Sequence, residues 1–452
     1  MNATALRREL GLQEALGLVI GTIIGTGIFL KTTTMSLLVG SATWVLMAWA
    51  VAGLLSLVGA LVYAELGELF PEAGGEYVYL RSAYGDWLGF LYGWMRFWIG
   101  SPGSIAAYAV GSATFFSALV PMGGMAKSVM ALTMVFLFTT LNCMAVKVGG
   151  RAQWFLTLLK IALIFGLTFG IFFFSSGGSF SNMNLVSEGA VLPGFTWGGF
   201  GLAVLSALWA FDGWNNLPMA AGEIKSPAKT IPAALVIGVV IIFVIYALSN
   251  LAYFYALPFG ELLLTNSKSN PEALPVATAA AKTFLGEAGV SFLAIAMTIS
   301  ALGAMNGSIL TSSRIPYAMA RDGLFPVFLA KVSSFSHVPV AAVIVQGVWS
   351  GVLALSGSFD QLTDWVVFSA WIFYALCGFA VIVFRKKFPE RHRQYKVPLY
   401  PMLPIVFCSL AVLLLVNTLW ESPRESMFGL LFIAVGVPAF WLFRRFQGGR
   451  PA

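Results

Sequence analysis

The sequence predicts an all-α, polytopic membrane protein with twelve transmembrane helices, the first and sixth of them discontinuous. Composition sets the class: of 452 residues, 59% are hydrophobic and only 10% charged, against about 25% charged in soluble domains. Apolar runs near the roughly 20 residues needed to cross a bilayer recur along the whole chain. Two of these runs carry glycine or acid defects that an unbroken helix in lipid does not tolerate, and those defects set the detail.

The runs lie at 12–40, 43–69, 85–118, 126–146, 152–175, 197–221, 232–257, 287–316, 338–356, 362–384, 399–420 and 427–444. Span 1 holds Gly21-Thr-Ile-Ile-Gly-Thr-Gly-Ile-Phe29. It is too long for a cleavable signal peptide, lacks a small-residue cleavage site and contains Glu14. Spans 2 to 5 follow through short loops, with Arg96 inside span 3 and Lys160 inside span 5. Span 6 holds Trp209-Ala-Phe-Asp-Gly-Trp-Asn-Asn-Leu217, an acid beside a glycine. Spans 7 to 10 then repeat the spacing of spans 2 to 5, and spans 11 and 12 read as peripheral additions.

Three connections are longer. Ser175 to Trp197 is rich in Gly and Ser and is expected to be flexible. Pro258 to Glu287 contains 271–282, expected as a short surface helix. Arg385 to Lys396 is strongly basic and suits a place against anionic headgroups. The expected divisions are a tail (1–11), a first repeat (12–175), a second repeat (176–384), the basic loop with spans 11 and 12 (385–445) and a tail (446–452).

The net charge of +7 follows membrane topology and is no nucleic-acid signal. With the N-terminus inside, 19 of the 26 Lys and Arg are cytoplasmic; Lys127, Lys268, Lys282 and Arg424 face outside, and Lys31, Arg96 and Lys160 lie within spans. This bias places both termini in the cytoplasm. Cys143, Cys377 and Cys408 all fall in apolar spans and read as small buried hydrophobes. His337 and His392 fall in loops, so no histidine metal centre or proton relay can be built in the membrane. No cofactor is expected.

Irregular backbone at membrane depth survives only where protein buries it or a polar cavity wets it. Paired breaks in corresponding halves point to a transporter's substrate site. Five spans per half would make the two halves inverted relative to each other, although no residue-by-residue repeat is visible.

Several stretches resemble the amino acid–polyamine–organocation superfamily, and most closely its L-type amino acid transporter branch. They are Ile23-Ile-Gly-Thr-Gly-Ile-Phe29, with Thr26 where the branch has serine; Tyr63-Ala-Glu-Leu-Gly67; Pro71-Glu-Ala-Gly-Gly-Glu-Tyr77; Trp209-Ala-Phe-Asp-Gly-Trp-Asn215; Gly222-Glu-Ile-Lys-Ser-Pro-Ala-Lys-Thr-Ile-Pro232; and Asn306-Gly-Ser-Ile-Leu-Thr-Ser-Ser-Arg314. The resemblance implies the five-plus-five inverted-repeat (LeuT-like) fold and amino acid transport, often by obligatory exchange without sodium. The short loop after span 3 lacks the cysteine by which the animal branch bonds an ancillary glycoprotein, so no disulfide-linked subunit is expected.

Each site residue has a plainer reading beside its functional one. Gly17, Gly21 and Gly25 recur every four residues, as in a packing stripe, but Thr26 and Gly27 fall outside it. Unwinding there would free the N–H groups of Thr26, Gly27 and Ile28 at a positive dipole end that suits a carboxylate. The carbonyl of Ile23, at a negative end, suits an ammonium. The carbonyls of Trp209 and its neighbours would accept from the same ammonium. Trp209 and Trp214 could equally be packing residues, yet the resemblance makes Trp209 an aromatic lid and sets Asn215 near the amine. Asp212 could pair with a cation, cap the inner half-helix or stay protonated. Lys160 could snorkel, but the resemblance sets it where sodium-coupled relatives bind the ion, holding span 1 against span 8 near Ser300 and Asn306; release of its proton would instead permit proton coupling. Arg96 needs a partner, with Glu65, Glu68 or the cytoplasmic vestibule as candidates. Lys31 is expected to reach the outer vestibule, and Glu65, Glu72, Glu76 and Glu223 to pair with basic loops.

The reading is a secondary active transporter in a bacterial plasma membrane, exchanging small or medium neutral L-amino acids, with free amino acid and lipid as its partners. Proton symport, or acceptance of cationic amino acids through Asp212, is the alternative. An enzyme is disfavoured because the spans contain no nucleophile–base or metal-ligand set, and a receptor because only short tails flank the spans.

Overall fold

Span 1 folds as two helices, α1 (Leu12–Ile23) and α2 (Gly27–Val39), because the glycines at 25 and 27 leave the main chain free to leave the helix between them. The computed structural model describes residues 6–144, 146–185, 194–267, 269–270, 273–356 and 359–447. Lys268, Arg450 and residues 271–272, which carry expectations above, lie outside these. After α2 come α3 (Ala42–Leu69), α4 (Glu76–Tyr84), α5 (Asp86–Met95), a π turn (Arg96–Gly100), α6 (Ser101–Phe116), α7 (Gly124–Met144), α8 (Val146–Phe174), α9 (Trp197–Phe211) and α10 (Asn216–Met219). The remaining helices are α11 (Pro227–Ala256), α12 (Phe259–Leu262), α13 (Val276–Leu285), α14 (Glu287–Ser312), α15 (Arg314–Arg321), α16 (Val340–Ser356), α17 (Phe359–Lys387), α18 (Met402–Glu421) and α19 (Pro423–Gln447). Among the described residues the only strand-like pairing is a parallel bridge between Leu10 and Ile224.

Nine segments among the described residues are long and apolar enough to cross a membrane. The other three expected spans are shorter or divided. Span 3 is split by the π turn, span 6 ends after 15 helical residues at Phe211, and span 9 is 17 residues long. Every residue from Gly17 to Phe29 is buried, so the broken helix runs through the middle of the protein. Large apolar side chains such as Phe136, Phe173, Leu413 and Trp420 stand exposed on α7, α8 and α18, a surface suited to lipid rather than water.

Two loop expectations are corrected and a third is given detail. The described part of Ser175–Trp197 is anchored: Ser176 N–H donates to the Thr283 carbonyl, and Ser179 N–H to that of Tyr255. The surface helix is α13, whose Val276, Ala277, Ala280 and Ala281 are buried rather than lying on the outside. The basic loop is tied to the end of α3, while Lys386, Lys387, Arg391 and Lys396 stay exposed. Arg385 donates to both oxygens of Glu65 at 3.0 and 2.7 Å, and Arg391 to the Leu69 carbonyl at 2.6 Å. Glu65 and Glu223 do pair with basic residues, the latter with Arg314 in a fully buried pair at 2.8 Å.

Candidate functional site

At the first break Ile24 N–H still closes onto the Ile20 carbonyl; helix resumes at Gly27, and Phe29 N–H reaches the Thr26 carbonyl at 3.2 Å. The first N–H groups of a helix have no partner within it, and no side chain caps α2. The Thr26 hydroxyl is buried without a hydrogen-bond partner. Thr26, Gly27 and Ile28 therefore present unpaired donors at the positive end of α2.

At the second break α9 ends at Phe211, Asp212 is extended and Gly213 has φ +120°. The breaks touch. The Thr22 hydroxyl lies 2.9 Å from the Gly213 carbonyl and 2.6 Å from that of Leu18 in its own helix, and a Cβ at Gly213 would lie 2.9 Å from the Thr22 carbonyl carbon. A Cβ at Gly27 would lie 2.6 Å from that of Ala210. Glycine is needed at both positions for two main chains to come this close.

The carbonyls are less free than the sequence suggests. That of Trp209 accepts from Asp212 N–H at 3.2 Å. Those of Ile23 and Ala210 each lie 3.0 Å from the Tyr246 hydroxyl, which straddles both breaks from α11. A carbonyl oxygen has two lone pairs, so one acceptor position remains at each.

Lys160 does not snorkel. Its Nζ donates to the carbonyls of Gly21 and Ile24, both at 2.6 Å, and the side chain is 1% exposed. Gly303 on α14 leaves the room, since a Cβ there would lie 2.8 Å from Nζ. The Ser300 hydroxyl reaches the carbonyls of Ile24 and Gly25 at 3.1 and 2.9 Å. Lysine and serine thus clamp the end of α1 from α8 and α14. Asn306 is not part of that clamp. It donates to Gln153 at 2.9 Å and accepts from Asn142, six residues beyond Ser300 along α14.

Trp209 is buried, with its ring 5.9 Å from that of Tyr108. Tyr108 in turn covers Gly25, where a Cβ would lie 2.9 Å from its ring. Beyond them a cavity of about 700 Å³ is lined by Lys31, Thr34, Lys127, Pro275, Thr278 and Met297 among others, so Lys31 reaches the expected vestibule.

Below the second break the acids are committed. Asn215 donates to Glu76 at 2.7 Å, and its side-chain oxygen is buried without a hydrogen-bond partner. Burial pushes the Glu76 carboxyl above the ordinary carboxylate range, opposed by Arg96 and that Asn215 bond. Asp212 accepts from the Tyr374 hydroxyl at 2.9 Å and caps no helix. Arg96 pairs with neither Glu65 nor Glu68. Its guanidinium reaches Asn216 at 3.3 Å and Met219 sulfur at 3.7 Å.

Residues 10–440 match the amino acid permease family. The chain belongs to that family. The permease is 31% identical over 446 residues to the serine/threonine exchanger SteT of Bacillus subtilis (strain 168), covering 96% of this chain and 97% of that one. It is 30% identical to the b(0,+)-type amino acid transporter 1 of Mus musculus, covering 99% and 90%. It is also 30% identical to the cystine/glutamate transporter of Homo sapiens, covering 97% and 85%. The permease is therefore a multi-pass membrane protein of amino acid transport, and its relatives are transporters rather than enzymes.

Tyr246 and Tyr108 are the permease residues that the sequence reading missed. Tyr246, Ser249, Asn250 and Tyr253 stand at helical spacing and are all buried, a polar stripe in an apolar span that marks the inward face. Tyr108 carries no such signal.

Proposed function

We propose that this permease exchanges small or medium neutral L-amino acids across the plasma membrane, independently of sodium, by alternating access. One observation carries the reading: two helix breaks meet in the buried centre and offer opposite partial charges. The substrate carboxylate is received by the N–H groups of Thr26, Gly27 and Ile28 with the Thr26 hydroxyl. Its ammonium is received by the remaining lone pairs around Ile23 and Ala210. The opposite partial charges suit a zwitterion, which Trp209 with Tyr108 would cover on the vestibule side. The twelve-span, five-plus-five frame (12–175 and 176–384), cytoplasmic termini and activity without a disulfide-linked subunit belong to the same proposal.

Independence from sodium is supported by the Lys160 ammonium, which already bonds the carbonyls of Gly21 and Ile24. A second reading, proton-coupled uptake, rests on the same amine, because a lysine held by carbonyls in an apolar site can release its proton. Proteoliposomes preloaded with labelled amino acid separate the two. Exchange requires that external substrate accelerates efflux. Efflux indifferent to external substrate, together with uptake into empty vesicles driven by a pH gradient, replaces exchange by symport.

A further inference from the structure

Glu76 is a buried acid that the transport reading above leaves unused. It opens α4 directly after Gly74 and Gly75, where φ is +122° and +53°. That turn lies against α10, with Gly74 N–H donating to the Met219 carbonyl at 2.9 Å. The carboxyl is thereby set under the second break, fully buried, with the Asn215 amide against it. The amide nitrogen donates to Oε1 at 2.7 Å, while Glu76 Oε2 and Asn215 Oδ1 are both buried without a partner. An ionised carboxylate only accepts, so it leaves both oxygens without a donor; a carboxylic acid has a hydrogen to give. One proton on Oε2 supplies that donor, and the Asn215 oxygen is an acceptor on the amide already bonded to it.

The surroundings offer no counter-ion in contact. Facing the carboxyl are Asn215 from span 6, Arg96 and Tyr92 from span 3, Tyr63 from span 2, Tyr79 from α4, and Tyr374 and Cys377 from span 10. Arg96 is the cation of this set, and its bonds run to Asn216 and Met219. The hydroxyls of Tyr63, Tyr79 and Tyr92 are buried and reach no partner either. Arg314 of α15 is taken by Glu223, and Arg81 of α4 by Asp86 and Asp322. A fully buried carboxylate with one hydrogen bond would be costly.

We propose that Glu76 is a proton-binding site: it holds a proton beside Asn215 while this end of the molecule is closed and gives it up when the end opens. The inference rests on the transport reading, because opening must part α4 from α10. The segment after α10 closes the same end, where the Glu223 carbonyl accepts from the N–H groups of Glu9 and Leu10. Burial raises the Glu76 carboxyl above its ordinary range in the closed form, so closing takes up a proton and is favoured as the pH falls. The proton comes from water on that side and returns there, so none crosses the membrane.

The test joins infrared spectra of the full-length protein to exchange in proteoliposomes. At about pH 7, well above the ordinary carboxylate range, wild type should show a protonated-carboxyl band that Glu76→Gln lacks. Glutamine keeps both bonds of the pair, its amide donating where the acid did. If Glu76→Gln does not fold, Asn215→Ala, which removes the partner, should shift that band without abolishing it. Exchange of the best-carried neutral amino acid, at equal pH on both sides, should fall about fivefold or more from about pH 5.5 to 8. One linked proton changes the closed population by up to about tenfold per pH unit. Glu76→Gln should hold within about twofold over that range. Carboxyl bands left unchanged by Glu76→Gln would mean an ionised Glu76 and overturn the inference. So would a pH profile that the substitution leaves in place. Wild type that moves no amino acid removes the transport reading, and the infrared band then still reads whether Glu76 holds a proton.

Discussion

Lys160 shows how one side chain can hold the end of a helix. An ammonium at 1% exposure would be too costly to bury without strong acceptors. It has two, both carbonyls at the end of α1 that no longer close a helix. Bonds to a charged donor contribute roughly 1.5–3 kcal/mol each, so the residue fixes where α1 stops. Lys160→Ala is expected to slow exchange by about 10- to 100-fold, since each 1.4 kcal/mol is a factor of ten. Half-saturation should change by less than about threefold, because the lysine bonds the carbonyls of Gly21 and Ile24 and none of the groups proposed to receive the substrate. Turnover equal to wild type in proteoliposomes would remove Lys160 from the mechanism. Its importance was legible because a cation in an apolar run demands a reason. The target of Arg96 was not: the sequence offered Glu65 and Glu68, and only the added residue of a π turn sends the guanidinium to Asn216 instead.

At the scale of elements, both helix breaks could be read from composition, but what fills them could not. Glycine pairs and an acid mark where helix fails; they do not say that Tyr246, in the next span, will straddle both ends. The Ile23 carbonyl, expected to be free, is partly used in this way, and that of Trp209 by the Asp212 N–H. The contact between the breaks rests on Gly213, whose φ of +120° disfavours any Cβ and whose Cβ would lie 2.9 Å from main chain at Thr22. Gly213→Ala is expected to lower stability by roughly 1–3 kcal/mol and to slow exchange, read as a lower thermal midpoint in detergent and lower turnover. Gly177→Ala is the comparison: φ is +78° with nothing within 4 Å of the new Cβ. It should lose only the left-handed penalty, about 1–2 kcal/mol, and leave exchange unchanged. Equal transport by the two variants would mean that close approach at Gly213 is not needed for turnover.

For the whole molecule, composition and span spacing gave the class and the breaks, while the short helices were hidden by averaging. Spans 3, 6 and 9 look like ordinary apolar runs, yet a π turn, an extended Asp212 and a 17-residue helix shorten them. The ends of the molecule differ in closure. At the end carrying the N-terminus, Glu9 and Leu10 N–H groups bind the Glu223 carbonyl, Arg314 grips the Glu223 side chain, and Tyr77 donates to Asp322. At the other end stands the 700 Å³ cavity. On the proposed topology, with the basic end in the cytoplasm, the cavity is an outward-facing vestibule. Orientation can be read with single cysteines in a background lacking Cys143, Cys377 and Cys408. Leu264, 65% exposed beside the cavity-lining segment, and Phe335, 93% exposed between α15 and α16, lie in loops assigned to opposite sides. In intact cells a membrane-impermeant maleimide should label Leu264→Cys within minutes and leave Phe335→Cys unmodified until the membrane is opened. The reverse pattern would place the closed end outside and turn the assigned direction of alternating access around.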